Sequence, residues 1–387
     1  MHKLRIHKHI MLEKEATILK SVGGCDHVTM TRTFHPVGQG AFYSEVFTID
    51  GEVEFVVVYD CGTESGAKTL SKTVSTFMEI LPESHRTIDV LFLSHLHRDH
   101  INGLDALLTD VTIKKTVIPL LPEEVILLTR VKNALEDKWS VESNDSIIND
   151  LYYGGGRSGR FGKIVAIPPG SDDYGQHAWR PLGVKRTSDP IPISEDNPFW
   201  EYDPMNSIMG NDSRAIEFAK AIRAIDGVFD EYGQLDTSQL VRGKRTELRK
   251  AYSDAMKKAN DNLYTLVVNS RPVYALIDDI TLARNSRCLY TGDIDTRKNL
   301  GLLNRLLGRY PIDEIGVFQV PHHGSKENWQ SAFLGKTPRD YVVSAGTDNS
   351  YHHPDFWAME EIRDVPNNTL MIVTEKSKPW EKTYNIL

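Results

Sequence analysis

The chain is read outward from Ser94-His95-Leu96-His97-Arg98-Asp99-His100, which follows directly on the apolar residues Ile88, Val90, Leu91, Phe92 and Leu93. A nearly continuous apolar run of this kind predicts a strand buried on both faces. It feeds three imidazoles and a carboxylate, all within 95–100. Side chains two apart in an extended chain point the same way, so His95, His97 and Asp99 converge at the strand end while His100 turns to an adjacent point. One short segment thereby offers ligands to two metal ions. A closed structural zinc site is the poorer reading, because such sites favour Cys or Cys/His sets, whereas mixed His and carboxylate leave room for water. Cys25, Cys61 and Cys288 are too scattered to build a zinc finger.

Before this loop, a β-rich run over 53–59 ends in Asp60-Cys61-Gly62, and Leu70, Val74, Phe77, Met78 and Leu81 mark one face of a helix that Pro82 closes. After it come a strand at Val117-Ile118 and a helix over 122–137 with Pro122 in its first turn. The middle then changes character: a glycine-rich loop at 154–162, a Pro-rich polar stretch near 180–205, and two charged helices over 213–225 and 242–259. Regular alternation returns with strands at 264–268, 273–277 and 288–291, a helix at 297–307, and a strand at 315–320. A short helix near Trp329, a strand at 341–344, a helix from Pro354 and a strand at 370–374 complete it. Strands alternating with helices predict a layered α/β fold. The expected division is an N-terminal extension over 1–30, a catalytic domain from 31–121 and 261–387, and a mainly helical, loop-rich insertion over 122–260.

With 387 residues and 40% hydrophobic content the chain can bury a full core. Its 3 cysteines, an odd number, point to a reducing compartment. No apolar run reaches the roughly 20 residues of a membrane helix, and residues 1–20 lack the uninterrupted apolar core of a secretion signal. A cytoplasmic protein without a membrane partner is expected. The formal net charge of −8 gives no support to coating duplex nucleic acid, which needs a surplus of Lys and Arg, although a local basic patch would still serve. His2, His7 and His9 read as solvated.

Three later segments repeat the pattern of an apolar strand ending in a small polar cluster. They are Leu289-Tyr290-Thr291-Gly292-Asp293, Val317-Phe318-Gln319-Val320-Pro321-His322-His323-Gly324-Ser325, and the run from Val342 to Tyr351-His352-His353-Pro354. Strand ends and their loops are where layered α/β proteins build sites. A carboxylate such as Asp293 can bridge two cations about 3.5–4 Å apart, and a water shared by them is acidified to a pKa near 7. No Ser or Cys nucleophile is then required.

At this point the chain resembles the metallo-β-lactamase superfamily, whose mark is the HxHxDH loop of His95 to His100. Within it the sequence is similar to the hydrolase domain of ComEC-type competence proteins. That likeness rests on Val37-Gly38-Gln39-Gly40, Tyr59-Asp60-Cys61-Gly62, Asn262 ahead of Thr265-Leu266-Val267, Thr291-Gly292-Asp293, the run from Val320 to Ser325, and the run from Ser344 to Pro354. The resemblance implies a four-layer αβ/βα sandwich with a dinuclear site at one edge of the paired sheets. His95 and His97 would hold the first ion, Asp99 and His100 the second, and Asp293 would bridge. His323 and His353 are the candidates for the second ion's remaining ligand. Of His322, His323 and His353, one should bind metal and another protonate the leaving group. The matching place for a third His on the first ion holds Asn262, with His177 the other residue near in order, so that ion has the weaker ligand set.

The resemblance implies two divalent metal ions, zinc first and manganese or iron as alternatives. The function it implies is hydrolysis of a phosphodiester, plausibly in nucleic acid or a nucleotide, with Asp99, His322 and His323 as the catalytic set. Hydrolysis of another ester, such as a lactone or thioester, and a non-enzymatic metal-binding regulatory role are the alternatives. Secondary signals are the basic helix carrying Arg242, Lys244, Arg245, Arg249, Lys250, Lys257 and Lys258, and the loop arginines Arg157 and Arg160. Both read first as solvated or mobile features, and second as phosphate contacts. Trp179, Trp200 and Tyr202 read as core or as a stacking surface. Asp60 reads as a partner to a ligand His.

Overall fold

The computed structural model describes residues 27–136, 141–154, 159–170, 178–195, 198–208, 213–230, 235–236, 243–256, 263–273, 279–297 and 299–386. Strands β1 (Val28–Phe34), β2 (Phe42–Ile49), β3 (Glu52–Cys61), β4 (Thr87–Phe92), β5 (Thr112–Pro119), β6 (Leu121–Pro122), β7 (Lys163–Ile167), β8 (Trp179–Arg180) and β9 (Lys185–Arg186) come first. They are followed by β10 (Ile191–Pro192), β11 (Trp200–Ile208), β12 (Tyr264–Pro272), β13 (Cys288–Tyr290), β14 (Val317–Gln319), β15 (Asp340–Ser344), β16 (Thr369–Val373) and β17 (Trp380–Asn385). One eight-stranded sheet has the order β17-β1-β2-β3-β4-β5-β7-β9, and a seven-stranded sheet runs β10-β11-β12-β13-β14-β15-β16. The helices are α1 (Ala67–Ile80), α2 (Arg98–Ile101), α3 (Leu104–Leu107), α4 (Glu123–Glu136), α5 (Val141–Tyr152), α6 (Ser213–Arg223), α7 (Arg245–Met256), α8 (Ile280–Ser286), α9 (Leu300–Arg309) and α10 (Phe356–Arg363).

The period-2 alternation of strand side chains sorts the buried residues into three cores, visible within β3 alone. Val57 and Tyr59 face the second sheet, joining Phe47, Phe92, Trp200, Leu266 and Tyr290 between the sheets. Val56 and Val58 face the other way, onto a helical layer with Leu70, Phe77, Leu128 and Leu151. On the far side of the second sheet, Leu289 and Phe318 pack with Leu302, Leu306 and Met359 from α9 and α10. Helix, sheet, sheet and helix therefore stack as four layers, as expected. No helix among the described residues is long and apolar enough to cross a membrane.

The stretch 122–260 is not only an insertion of helices and loops. It carries α4 to α7, but β7 pairs parallel to β5 in the first sheet, and β11 pairs antiparallel to β12 along its length in the second. These strands escape pattern reading because β11 holds Glu201, Asp203 and Pro204. Pro204 is tolerated because β10 bonds only to Glu201 and Tyr202, leaving the far side of Pro204 without a ladder partner to serve. Pro122 ends β6 and lies just before α4; the expected strand at 264–268 runs on to Pro272, and the strand expected at 273–277 lies, but for residue 273, outside the described residues. Trp200 and Tyr202 are 0% and 1% exposed between the sheets, which corrects the stacking-surface reading. Trp179 is half-buried, edge-on to Tyr264.

Two buried polar groups lie within this apolar frame. Between the sheets, Arg32 and Glu45 form an ion pair at 2.7 Å, both essentially inaccessible to solvent. The Glu45 carboxylate also accepts from Tyr202 Oη at 2.7 Å, Ser270 Oγ at 2.8 Å and Tyr290 Oη at 2.9 Å, and the Arg32 guanidinium lies over the Tyr384 ring. On the outer face, His35 is stacked on Phe42 and edge-on to Phe77, with Nε2 2.8 Å from Ser44 Oγ. Burial pushes its pKa from 6.5 down to about 3. Between those values the unfolded chain binds the proton that the folded chain refuses. The neutral ring's contribution is therefore complete above pH 6.5 and lost as pH falls toward 3. In metal-free protein, lowering the pH to 4.5 is expected to remove about 2.5 kcal/mol through this group alone. Denaturant titrations of parent and His35→Gln at pH 7.5 and 4.5 measure it; equal losses in both would show that His35 is not responsible.

Candidate metal centre

β4 ends at Phe92, and the chain continues through Ser94 and His95 into α2, which starts at Arg98. Two glycines let neighbouring turns close on this loop. A Cβ on Gly62 would come within 2.6 Å of the Asp99 carbonyl carbon. Gly292, at φ 54°, would place one 2.4 Å from Thr265 Oγ1 and 3.0 Å from Ser94 Cβ. Asp293 is thereby carried from the β13 end to the metal loop. The turn is fixed by Gln319, whose Oε1 accepts from the backbone N–H of Thr291 at 2.8 Å and Gly292 at 3.1 Å.

Two sets of ligand atoms converge: His95, His100 and Asp293, and Asp99, His100 and His323. His95 Nε2 is 3.5 Å from Asp293 Oδ2, and His100 Nε2 is 3.5 Å from Asp293 Oδ1 and 3.7 Å from Asp99 Oδ2. His323 Nε2 is 3.1 Å from Asp99 Oδ2. Asp293 belongs to the first set, and its Oδ1 faces His100, the residue common to both. His322 Nε2 lies 3.7 Å from Asp293 Oδ2 at the more open side. His97 sits edge-on to His95 at 4.7 Å between ring centres but belongs to neither set.

His353, expected among the ligands, also belongs to neither set. Its Nδ1 is 3.4 Å from Gln39 Nε2, and its ring is stacked on Tyr351. What separates the three late histidines is the turn after β14, where His322 and His323 take successive left-handed backbone conformations, φ 48° and 56°. Such conformations in non-glycine residues cost about 1–3 kcal/mol each and persist where surrounding structure enforces them. Here they turn His323 inward: its Nδ1–H donates to Ser344 O at 2.9 Å, and Nε2 faces Asp99 Oδ2 at 3.1 Å, where loss of its proton would make it a metal ligand. Asn328, whose amide donates to the carbonyls of Asp293 and Ile294, offers Oδ1 to His322 Nδ1 at 3.0 Å. His322 therefore carries its fixed proton on Nδ1 and presents Nε2 to the site.

Electrostatics show a pocket that attracts cations. Burial acts to depress His100, but the carboxylates of Asp99, Asp293 and Asp60 outweigh it and raise its pKa well above the usual range. Burial acts to raise Asp99 and Asp293, yet the surrounding imidazoles hold both well below the ordinary carboxylate value. His95 is depressed by burial and by His100. Meanwhile His95 Nε2 and His100 Nε2 are buried and make no hydrogen bond. An orphaned buried polar atom costs about 1–3 kcal/mol, and a divalent cation removes that cost at both nitrogens. The residues present fit a metal.

The fully buried Asp60, at φ 55°, supports this set from behind. It accepts from Ser94 N at 2.7 Å, Ser94 Oγ at 2.6 Å and His100 Nδ1 at 2.8 Å, which aims His100 Nε2 at the centre. Asp60→Ala is expected to weaken metal binding about 10–100-fold, the usual effect of removing a carboxylate behind a ligand histidine. Competition against a chromophoric chelator measures this, and unchanged affinity would remove Asp60 from the account.

Asn262, His177, Arg157, Arg242, Lys257, Lys258, His2, His7, His9 and Cys25 fall outside the described residues. Arg160 is paired with Asp105 and with Asp150, so its guanidinium is committed away from a phosphate role. Arg245 donates to the Leu135 carbonyl at 2.5 Å, and Lys244 lies 3.9 Å from Glu247. Cys61 and Cys288 are buried and free; burial pushes the Cys61 thiol up, and that of Cys288 up to about 12. Sequence reasoning missed Ser94, Gln319 and Asn328, each a polar residue adjacent to a motif it had marked.

The family model described as Metallo-beta-lactamase superfamily matches residues 40–180, which include the HxHxDH loop. The paired sheets with outer helices are a metallo-β-lactamase fold. Among solved structures, the chain is similar to Zn(2+)-bound PqqB from Methylobacterium extorquens at 9% identity and a TM-score of 0.40, covering 91% of this chain and 99% of that one. It is also similar to a long form RNase Z from yeast at 10% identity and a TM-score of 0.31, covering 82% of this chain and 36% of that one. No curated protein matches the chain.

Proposed function

We propose that the protein is a metal-dependent hydrolase that cleaves a phosphodiester, in nucleic acid or a nucleotide, with two divalent ions, zinc first, held unequally at the Asp293 bridge. The observation that carries the metal reading is the convergence of two ligand sets around His95 Nε2 and His100 Nε2, which are buried and make no hydrogen bond. Asp99, His100, His323 and Asp293 would hold the stronger ion, while His95, His97 and Asp293 would make up the weaker position. When bound, such ions polarise a phosphoryl oxygen and lower the pKa of water to about 7. The protein's own residues do the rest. Asp60 and the Ser344 carbonyl orient His100 and His323, and Asp293 faces His95 and His100. His322, the more open of the histidine pair, is placed to take a proton from the attacking water at Nε2 and pass it to the leaving oxygen, its Nδ1–H staying on Asn328. The phosphodiester class is supported by the ComEC-like motifs of the sequence. A cytoplasmic setting is supported by Cys61 and Cys288, both buried and free.

The test is turnover by protein loaded with Zn²⁺ or Mn²⁺, given bis(p-nitrophenyl) phosphate and single- and double-stranded DNA and RNA, beside a lactone and a thioester. Phosphodiester cleavage that Asp99→Ala abolishes is the expected result. No cleavage, or Asp99→Ala equal to parent, overturns the proposal, and turnover of only the lactone or thioester moves the protein to another ester class.

A further inference from the structure

We propose that Lys132, supplied by α4 outside the motif set, anchors the non-reacting anionic oxygen of the substrate on the His97 side of the centre; this rests on the hydrolase reading above. Lys132 Nζ lies 3.4 Å from both ring nitrogens of His97. This placement is built. The next residue, Asn133, is 3% exposed and clasps the metal loop, its Oδ1 accepting from Arg98 N at 3.2 Å and its Nδ2 donating to Leu96 O at 2.8 Å. The two bonds fix α4 against residues 96–98, and the half-buried Lys132 is delivered to His97 as a consequence.

The chemistry of an ammonium in this position is restrictive. It has three donors and no lone pair, so it cannot join the ligand set. His97 lies edge-on to His95, a member of the first ligand set, with ring centres 4.7 Å apart, so Nζ would stand close to an ion held by that set. Two cations that close repel each other, and the arrangement becomes favourable when an anionic oxygen enters between them and accepts from the lysine while facing the metal. The substrate therefore carries a negative charge next to the bond that is cut. A phosphodiester meets that requirement through its non-bridging oxygen, whereas a neutral carboxylic ester does not.

The experiment compares metal-loaded parent, Lys132→Ala and Lys132→Arg by three measurements: calorimetric binding of inorganic phosphate, kinetics on bis(p-nitrophenyl) phosphate, and metal content after desalting. For Lys132→Ala, phosphate affinity is expected to fall and KM to rise by about 10-fold or more, the size of one charge-assisted hydrogen bond. Its kcat should change little and its metal content should match the parent, while Lys132→Arg keeps most of the affinity. Unchanged phosphate affinity in Lys132→Ala overturns the assignment. A metal content that rises above the parent's also overturns it, by showing that the lysine excludes an ion. Absence of phosphodiester turnover in the parent would instead sink the hydrolase reading, with phosphate binding still deciding the role of Lys132.

Discussion

Asp293→Ala is expected to lower kcat/KM on bis(p-nitrophenyl) phosphate by about 10³-fold or more, equivalent to about 4 kcal/mol of transition-state stabilisation. It should also strip the purified protein of most of its metal. The carboxylate faces His95 and His100 within 3.5 Å and His322 within 3.7 Å, and it supplies the carboxylate of the first ligand set. Asp293→Asn separates charge from shape. It retains an oxygen in the same place but not the negative charge that neutralises the cations, and its metal loss should approach that of the alanine variant. Metal content after desalting and steady-state kinetics are the two readouts. An alanine variant with the parent's metal content would show that Asp293 is not a ligand.

The second large effect concerns stability. Glu45→Ala is expected to destabilise the fold by about 3–5 kcal/mol, because it leaves the Arg32 charge buried between the sheets without its counter-ion. The same substitution orphans the hydroxyls of Tyr202, Tyr290 and Ser270, which all donate to that carboxylate. Removing both charges is a different matter, since a buried pair replaced by apolar groups of similar volume is often neutral. Arg32→Met with Glu45→Leu should therefore recover a large part of the loss. Urea unfolding of the single and double variants tests the cycle, and a Glu45→Ala cost below about 1 kcal/mol would contradict it.

These two sites also show what pattern reading can reach. His95, Asp99 and His100 were legible because their grouping is local, set by one strand end, while His97 of the same loop falls in neither ligand set. Asp293 and His323 were legible through a repeated rule, an apolar strand that ends in a polar cluster. The choice among His322, His323 and His353 was not, because it depends on two successive left-handed residues and on Ser344 and Asn328, contacts that no spacing encodes. Lys132 was invisible for a similar reason: its role follows from Asn133 fastening a helix to a loop, through bonds that span 35 and 37 residues of sequence. The strands β7 and β11 were missed for a composition reason, being short or carrying charges and a proline where a half-buried strand usually alternates. Arg32 and Glu45 illustrate the converse. Each sits in an alternating strand where a charged residue reads as solvent-facing, and only the second sheet converts that face to interior.

The pairing of β1 with β17 has a bearing on how the protein is made. Residues 29–34 bond along their length to 380–385, so the first sheet acquires its outer strand from the far end of the sequence. While the chain is still being translated, β1 presents an open row of amides and carbonyls, the kind of template on which polypeptides aggregate. That hazard lasts until residues 380–385 leave the ribosome. A chaperone-depleted translation reaction should therefore lose more product to precipitation when synthesis stalls before residue 380 than when it runs past 386.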